Sequence, residues 1–159
     1  MDSRQMDNKG VVVQVAGFDV RLDVLYEPAT HMWIDPAPDG TVRVGLDSLE
    51  VHSCGTVAAL GMVEEGCLLR RGEPIGSLEA EKFVGSLHSP LSGVVTAVNE
   101  KLLERPALLD HDPYGSWMVE LRPSEFAAET AAFVSGDAAI EEWFAGEVAE
   151  YRAKGVLAE

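Results

Sequence analysis

The sequence predicts a mainly β chain finished by C-terminal helices, the β part being a small sandwich or barrel. Three observations point there. Apolar and polar residues alternate in short runs, most cleanly at Phe18-Asp19-Val20-Arg21-Leu22-Asp23-Val24, the period of a half-buried strand. From Gly55 through Gly93, glycines and turn residues break the chain at short intervals, as between many short strands. After Pro123 the apolar residues change to helical spacing.

Taken in order, a polar leader to Gly10 precedes Val11, Val13 and Val15, which begin a strand-like run. A hairpin through Gly17 to the Phe18–Val24 run and a looser arrangement both suit this pattern. Thr30-His31-Met32-Trp33-Ile34 reads as a short strand, closed by the turn cluster Pro36-Ala37-Pro38-Asp39-Gly40. Thr41 to Leu46 alternates again, with Val42, Val44 and Leu46 on one side. The centre reads as a weak duplication, Gly55-Thr56-Val57-Ala58-Ala59-Leu60 matching Gly93-Val94-Val95-Thr96-Ala97-Val98 at an offset of 38. Each copy leads to a second short apolar segment, Glu73-Pro74-Ile75-Gly76 and Ala107-Leu108-Leu109-Asp110. Two such β units joined by a hairpin place Glu79-Ala80-Glu81-Lys82-Phe83-Val84-Gly85 at the apex between them. The last strand is expected over Trp117 to Leu121. Ser124 is expected to cap a helix carrying Phe126, Thr130, Phe133 and Val134, with Gly136 as its stop. Asp137 is expected to cap a second helix whose stripe of Ile140, Trp143, Phe144, Val148 and Tyr151 packs inward, with Gly155 at its end.

The chain has 159 residues, 47% of them apolar and 25% charged, which suits one globular domain. Its 12 Lys and Arg against 27 Asp and Glu leave a formal charge of −15. Such a surface repels phosphate backbones and anionic lipid, so nucleic-acid and membrane partners are not expected. The polar start shows no basic-then-apolar leader and no apolar run is long enough to span a bilayer, so a cytoplasmic location is expected. The two cysteines, Cys54 and Cys67, are too few for a disulfide framework and read as structural thiols.

Catalytic residue types are thinly spread. The histidines are scattered at 31, 52, 88 and 111, and His52-Ser53-Cys54 with Cys67 fits no structural zinc spacing. Asp110-His111-Asp112-Pro113 reads as turn chemistry, and there is no glycine-rich phosphate loop or serine elbow. No metal site is expected, and no enzyme activity. What stands out is Lys82, the only lysine between Lys9 and Lys101, placed between the two similar strand pairs. A lysine on a tight hairpin offers a long stem and an ammonium that an acylating enzyme can reach.

Glu79-Ala80-Glu81-Lys82 followed by Ser89-Pro90-Leu91-Ser92-Gly93-Val94-Val95 resembles the lipoyl-attachment region of the glycine cleavage H-protein family. Three further pieces lie in that family's order: His31-Met32-Trp33 resembles its His-Glu-Trp, Asp112-Pro113-Tyr114-Gly115 with Trp117 resembles its Asp-Pro-Tyr and Trp, and two terminal helices follow. The resemblance implies a hammerhead or barrel-sandwich lipoyl domain of two antiparallel sheets, with lipoic acid amide-linked to Lys82. Glu79, Glu81 and Phe83 would shape the attachment hairpin, and His31, Met32 and Ser86 would shelter the arm. The chain divides accordingly into an N-terminal extension with strand-like segments (1–25), a lipoyl-carrier β domain (26–122) and C-terminal helices packed on it (123–159). The implied protein is a swinging-arm carrier, in which the cofactor does the chemistry and the domain positions it.

The departures shape the expected cargo. The family places carboxylates at its His-Glu-Trp glutamate and four residues after its lysine, where this chain has Met32 and Ser86. A cationic aminomethyl group entering a cleft needs opposite charge to offset its desolvation. Ser53-Cys54-Gly55-Thr56 also replaces the family's Leu-Gly-Asp stretch. This pattern is similar to the lipoate-binding paralogues of sulfur-oxidising prokaryotes. It implies an arm carrying sulfur-derived groups for a heterodisulfide-reductase-like complex, after modification by lipoate-attachment enzymes. The alternative is glycine cleavage itself, with glycine decarboxylase, aminomethyltransferase and dihydrolipoamide dehydrogenase as partners. A scaffold that is never lipoylated is the third reading.

Overall fold

The computed structural model describes residues 10–157, so most of the polar leader and the last two positions lie outside the described residues. The first two runs do form a hairpin, β1 (Val12–Val15) with β2 (Phe18–Arg21), in the register Val15 to Phe18. Ala16 and Gly17 form its two-residue loop at φ 51° and 93°, the positive values that let a tight loop match the strand twist.

Nine more strands follow: β3 (Leu25–Glu27), β4 (Met32–Pro36), β5 (Val42–Leu46), β6 (Val57–Met62), β7 (Leu68–Leu69), β8 (Pro74–Ala80), β9 (Val84–His88), β10 (Gly93–Val98) and β11 (Val119–Pro123). They form a six-stranded sheet, β3-β4-β5-β11-β10-β7, and a three-stranded sheet, β6-β8-β9, antiparallel throughout. The expected pair of sheets is therefore present, with the hairpin as a third, two-stranded element. One core cluster runs from Met32, Ile34 and Val44 to Ile75, Leu78, Leu91 and Leu121 and seals the two main sheets together.

Among the described residues five helices accompany these strands: α1 (Ser48–Cys54), α2 (Glu100–Glu104), α3 (Leu108–His111), α4 (Phe126–Thr130) and α5 (Asp137–Ala153). The expected stripe on α5 is apolar packing, with Ile140, Phe144 and Val148 fully buried, each contributing roughly 1.5–3 kcal/mol. They meet Val20, Leu22 and Val24 of the N-terminal segment, with Trp33, Leu49 and Tyr114, in a second core.

Several expectations are corrected. Ala107–Asp110 is not a second β segment, because residues 108–111 turn into α3. The duplicated segments are both strands, as expected, β6 in the three-stranded sheet and β10 in the six-stranded one. The last strand begins at Val119, two residues later than expected; Met118 N–H donates to Val44 O of the neighbouring β5, and Trp117 O accepts from the Asn99 amide. Ser124 does not cap a helix: its N–H continues the sheet to Ser92 O. Helix α4 ends at Thr130, and Val134 instead exchanges backbone hydrogen bonds with Tyr26 at 2.9 Å each. Gly136, not Asp137, is the N-cap of α5.

Candidate functional site

The turn joining β8 to β9 carries Glu81, Lys82 and Phe83. It is closed by the Ala80 N–H donating to Phe83 O at 2.8 Å. It is also clamped to the end of α1. Lys82 N–H donates to Cys54 O (2.9 Å), Glu81 N–H donates to Thr56 O (3.1 Å), and the Glu81 carboxylate accepts the Thr56 N–H at 2.7 Å. Those Thr56 hydrogen bonds hold the Glu81 carboxyl below the usual carboxylate range. Gly55 lies beneath the clamp at φ 77° and ψ −168°, backbone space open essentially only to glycine. A Cβ there would stand 2.9 Å from the Glu81 Cβ. Burial pushes the neighbouring Cys54 thiol up to about 11, so it stays protonated.

The result is a lysine whose backbone is fixed and whose side chain is free to reach outward. Lys82 is exposed, and among the described residues no ion pair holds its ammonium. Phe83 packs on the margin of the inter-sheet core, while Val84 is 76% exposed beside it.

A cleft of about 1,070 Å³ opens at Lys82. It is lined by Val51 and His52 of α1, Phe18 of the hairpin, Asp110 of α3 and Arg152 of α5. Phe18 and His52 stack edge-on with centroids 5.3 Å apart, and Asp110 accepts the Val57 N–H at 3.1 Å. A clamped, reachable lysine at the mouth of a part-apolar cleft fits a long covalent acyl arm such as lipoate.

The other sequence candidates lie elsewhere. Glu79, Val84 and Ser86 line a separate, smaller hollow on the three-stranded sheet. Met32 is 1% exposed inside the core between the sheets. His31, with φ 59°, is buried between the Asp47 and Glu147 carboxylates and against the rings of Trp143 and Tyr151. Neither His31 nor Met32 lines the cleft at Lys82. Trp33 donates from Nε1 to Leu46 O and Pro113 O, and its ring covers Gly45 so closely that a Cβ would sit 2.5 Å away. Tyr114 follows Pro113 and donates to Asp19 O at 2.8 Å. The His-x-Trp and Asp-Pro-Tyr pieces therefore meet in space, as packing. Sequence reasoning missed Phe18, His52 and Arg152, which share no local pattern.

Among the described residues no group of three or more His, Cys, Asp or Glu side chains is placed to hold a metal ion, and no helix is long and apolar enough to cross a membrane. Fold and site thus define a barrel-sandwich scaffold that presents one lysine on a clamped turn. The profile of the glycine cleavage H-protein family matches residues 25–143, and the chain belongs to that family. It is 38% identical over 112 residues to the glycine cleavage system H protein of Mycobacterium avium, covering 70% of this chain and 85% of that one. The glycine cleavage system H protein 2 of Aquifex aeolicus is 29% identical over 131 residues, covering 82% and 81%. The crystal structure of a glycine cleavage system H protein from Mycobacterium marinum superposes with a TM-score of 0.61 at 35% identity, covering 66% of this chain and 87% of that one. Members of the family are lipoyl carriers rather than catalysts and normally hold lipoate covalently.

Proposed function

We propose that Lys82 takes lipoate in amide linkage and that the chain works as a swinging-arm carrier. In this reading the arm moves an aminomethyl group from glycine decarboxylase to aminomethyltransferase, and dihydrolipoamide dehydrogenase reoxidises it. The observation that carries the reading is the geometry of Lys82, with a backbone held at 2.9 Å to Cys54 O and an ammonium left exposed. Lipoate supplies a dithiol that accepts and releases the carried group. The protein's own residues present the lysine, hold the turn and offer a cleft. Family membership and relatives named for glycine cleavage favour this cargo over a sulfur-derived one.

The sulfur-oxidation reading, with a heterodisulfide-reductase-like partner, rests on one specific observation. Met32 is sealed in the core and Ser86 is uncharged, so neither offers a carboxylate to a cationic cargo. Co-expression with lipoate-attachment enzymes tests the shared step: intact mass should show one lipoyl increment, localised to Lys82. Incubation with glycine and glycine decarboxylase then separates the cargoes. Aminomethyl loading supports glycine cleavage, and a lipoylated protein that stays unloaded favours the sulfur reading.

A further inference from the structure

Leu68, Val94 and Arg122 stand side by side on the outer face of the six-stranded sheet, in register across β7, β10 and β11. Their strand neighbours Leu69, Val95 and Leu121 are buried in the core, whereas Leu68 is 74% exposed, Val94 is 38% exposed and Arg122 is exposed. Arg70, just beyond β7, is exposed as well. We propose that this ledge, two apolar side chains flanked by two unpaired guanidiniums, docks one of the enzymes that the arm serves, through an acidic surface bearing a protruding apolar side chain. This rests on the carrier reading and adds to it a protein contact remote from Lys82.

Three observations carry it. First, the cations are uncompensated. Among the described residues neither Arg70 nor Arg122 has an ion pair. The next row of the sheet face is satisfied within itself: Glu120 pairs with Arg43 at 3.5 Å and accepts the Thr96 hydroxyl at 3.0 Å. In a chain of charge −15 most of the surface repels an acidic partner. Charges beyond about 8–10 Å are largely screened at physiological salt, so the free guanidiniums decide where such a partner settles. Second, the ledge is rigid. Gly66 N–H donates to Val95 O (2.7 Å), Val95 N–H to Cys67 O (2.9 Å) and Arg71 N–H to Ser92 Oγ (2.9 Å), which pins the short β7 segment to β10 on both sides of Leu68. A surface fixed beforehand loses little freedom on binding. A lone exposed apolar side chain is ordinary; two in register on a fixed sheet beside free arginines make a contiguous patch of interface composition. Third, the ledge and the arm lie at opposite ends of one strand. The chain passes from β7 through Arg70–Glu73 into the start of β8, and Lys82 follows the end of that seven-residue strand, about 20 Å away. A partner held at the ledge leaves the Lys82 turn uncovered.

The test reads affinity apart from chemistry. The full-length lipoylated chain is the varied substrate in separate assays with glycine decarboxylase, aminomethyltransferase and dihydrolipoamide dehydrogenase. Leu68→Glu and Arg122→Glu alter exposed positions, and circular dichroism checks their folding. With the enzyme that docks here, each variant should raise the KM for the carrier about tenfold and leave kcat unchanged, the mark of lost uniform binding. Added salt should raise the wild-type KM more steeply than that of Arg122→Glu. Lys101→Glu makes the same charge change beyond the far end of β10 and should keep the wild-type KM. A wild type that turns over while the Leu68 and Arg122 variants keep its KM with all three enzymes would overturn the docking surface and leave the carrier reading intact. An equal rise in Lys101→Glu would overturn it too, as an effect of net charge. Sedimentation showing a wild-type dimer that Leu68→Glu makes monomeric would give the ledge to a second copy instead. No lipoyl increment on Lys82, or no turnover with any of the three enzymes, would overturn the glycine-cleavage carrier reading, and the docking surface with it.

Discussion

The imidazole of His31 and the carboxylate of Glu147 meet at 2.8 Å, tying the entry of β4 to the middle of α5 across 116 positions of sequence. The other ring nitrogen lies 2.7 Å from Asp47, which is itself fully buried. Glu50 and Tyr151, hydrogen-bonded to each other at 2.8 Å, complete the ionisable surroundings.

Stability should therefore fall on the alkaline side. Burial alone would lower the His31 pKa, but hydrogen bonds and charge from Asp47, then Glu147, outweigh it and raise the value to about 9. A folded value above the unfolded 6.5 means that the stabilisation is complete below 6.5 and disappears as pH climbs to about 9. The wild type should lose up to about 3 kcal/mol across that window. Thermal unfolding from pH 6 to 10 checks this. His31→Gln should remove the slope in that window, and Glu147→Gln should flatten it.

Lys82→Arg should fold with unchanged stability, within about 0.5 kcal/mol, because the side chain is exposed and outside any core. It should show no lipoyl increment by intact mass and transfer no group. Carrier activity in this variant would refute the swinging arm.

Gly55→Ala should cost about 1–3 kcal/mol, since it forces a side chain into backbone space held by glycine and against Glu81. It should also loosen the clamp on Lys82. A lower denaturation midpoint together with a slower rate of lipoylation is the expected pair. A stable variant modified at the wild-type rate would show that the clamp has no part in presentation.

Restoring the family's two carboxylates should have unequal results. Met32→Glu places a charge in a core position that is 1% exposed and should destabilise by about 2–4 kcal/mol. Ser86→Asp is exposed and should leave stability unchanged. If the cargo is an aminomethyl cation, loading of Ser86→Asp by glycine decarboxylase should rise, measured as the mass of the loaded arm.

The turn that carries Lys82 was legible because it falls between two similar strand segments, so the β8–β9 hairpin follows from local sequence pattern. The stripe on α5 was legible for the same reason, as periodicity over seventeen residues. Helices α1 and α2 were not. They span seven and five residues, too short to show a period, and are started by Asp47 and Asn99 side chains accepting from Glu50 and Leu102. Ser124 looked like a cap because the residue type is right, but tertiary pairing with Ser92 claimed its backbone first. The cleft was invisible for a different reason. Phe18, His52, Asp110 and Arg152 are brought together by the fold alone.

The rung between Tyr26 and Val134 has a consequence for solubility. Strand β3 is the outermost of the six-stranded sheet, and an outermost strand with vacant amides is a template for another molecule to pair with. Val134 exchanges both hydrogen bonds with Tyr26, occupying the central residue of that three-residue strand with a piece of the same chain. The segment between the last two helices thereby guards the molecule against adding itself to a neighbour's sheet.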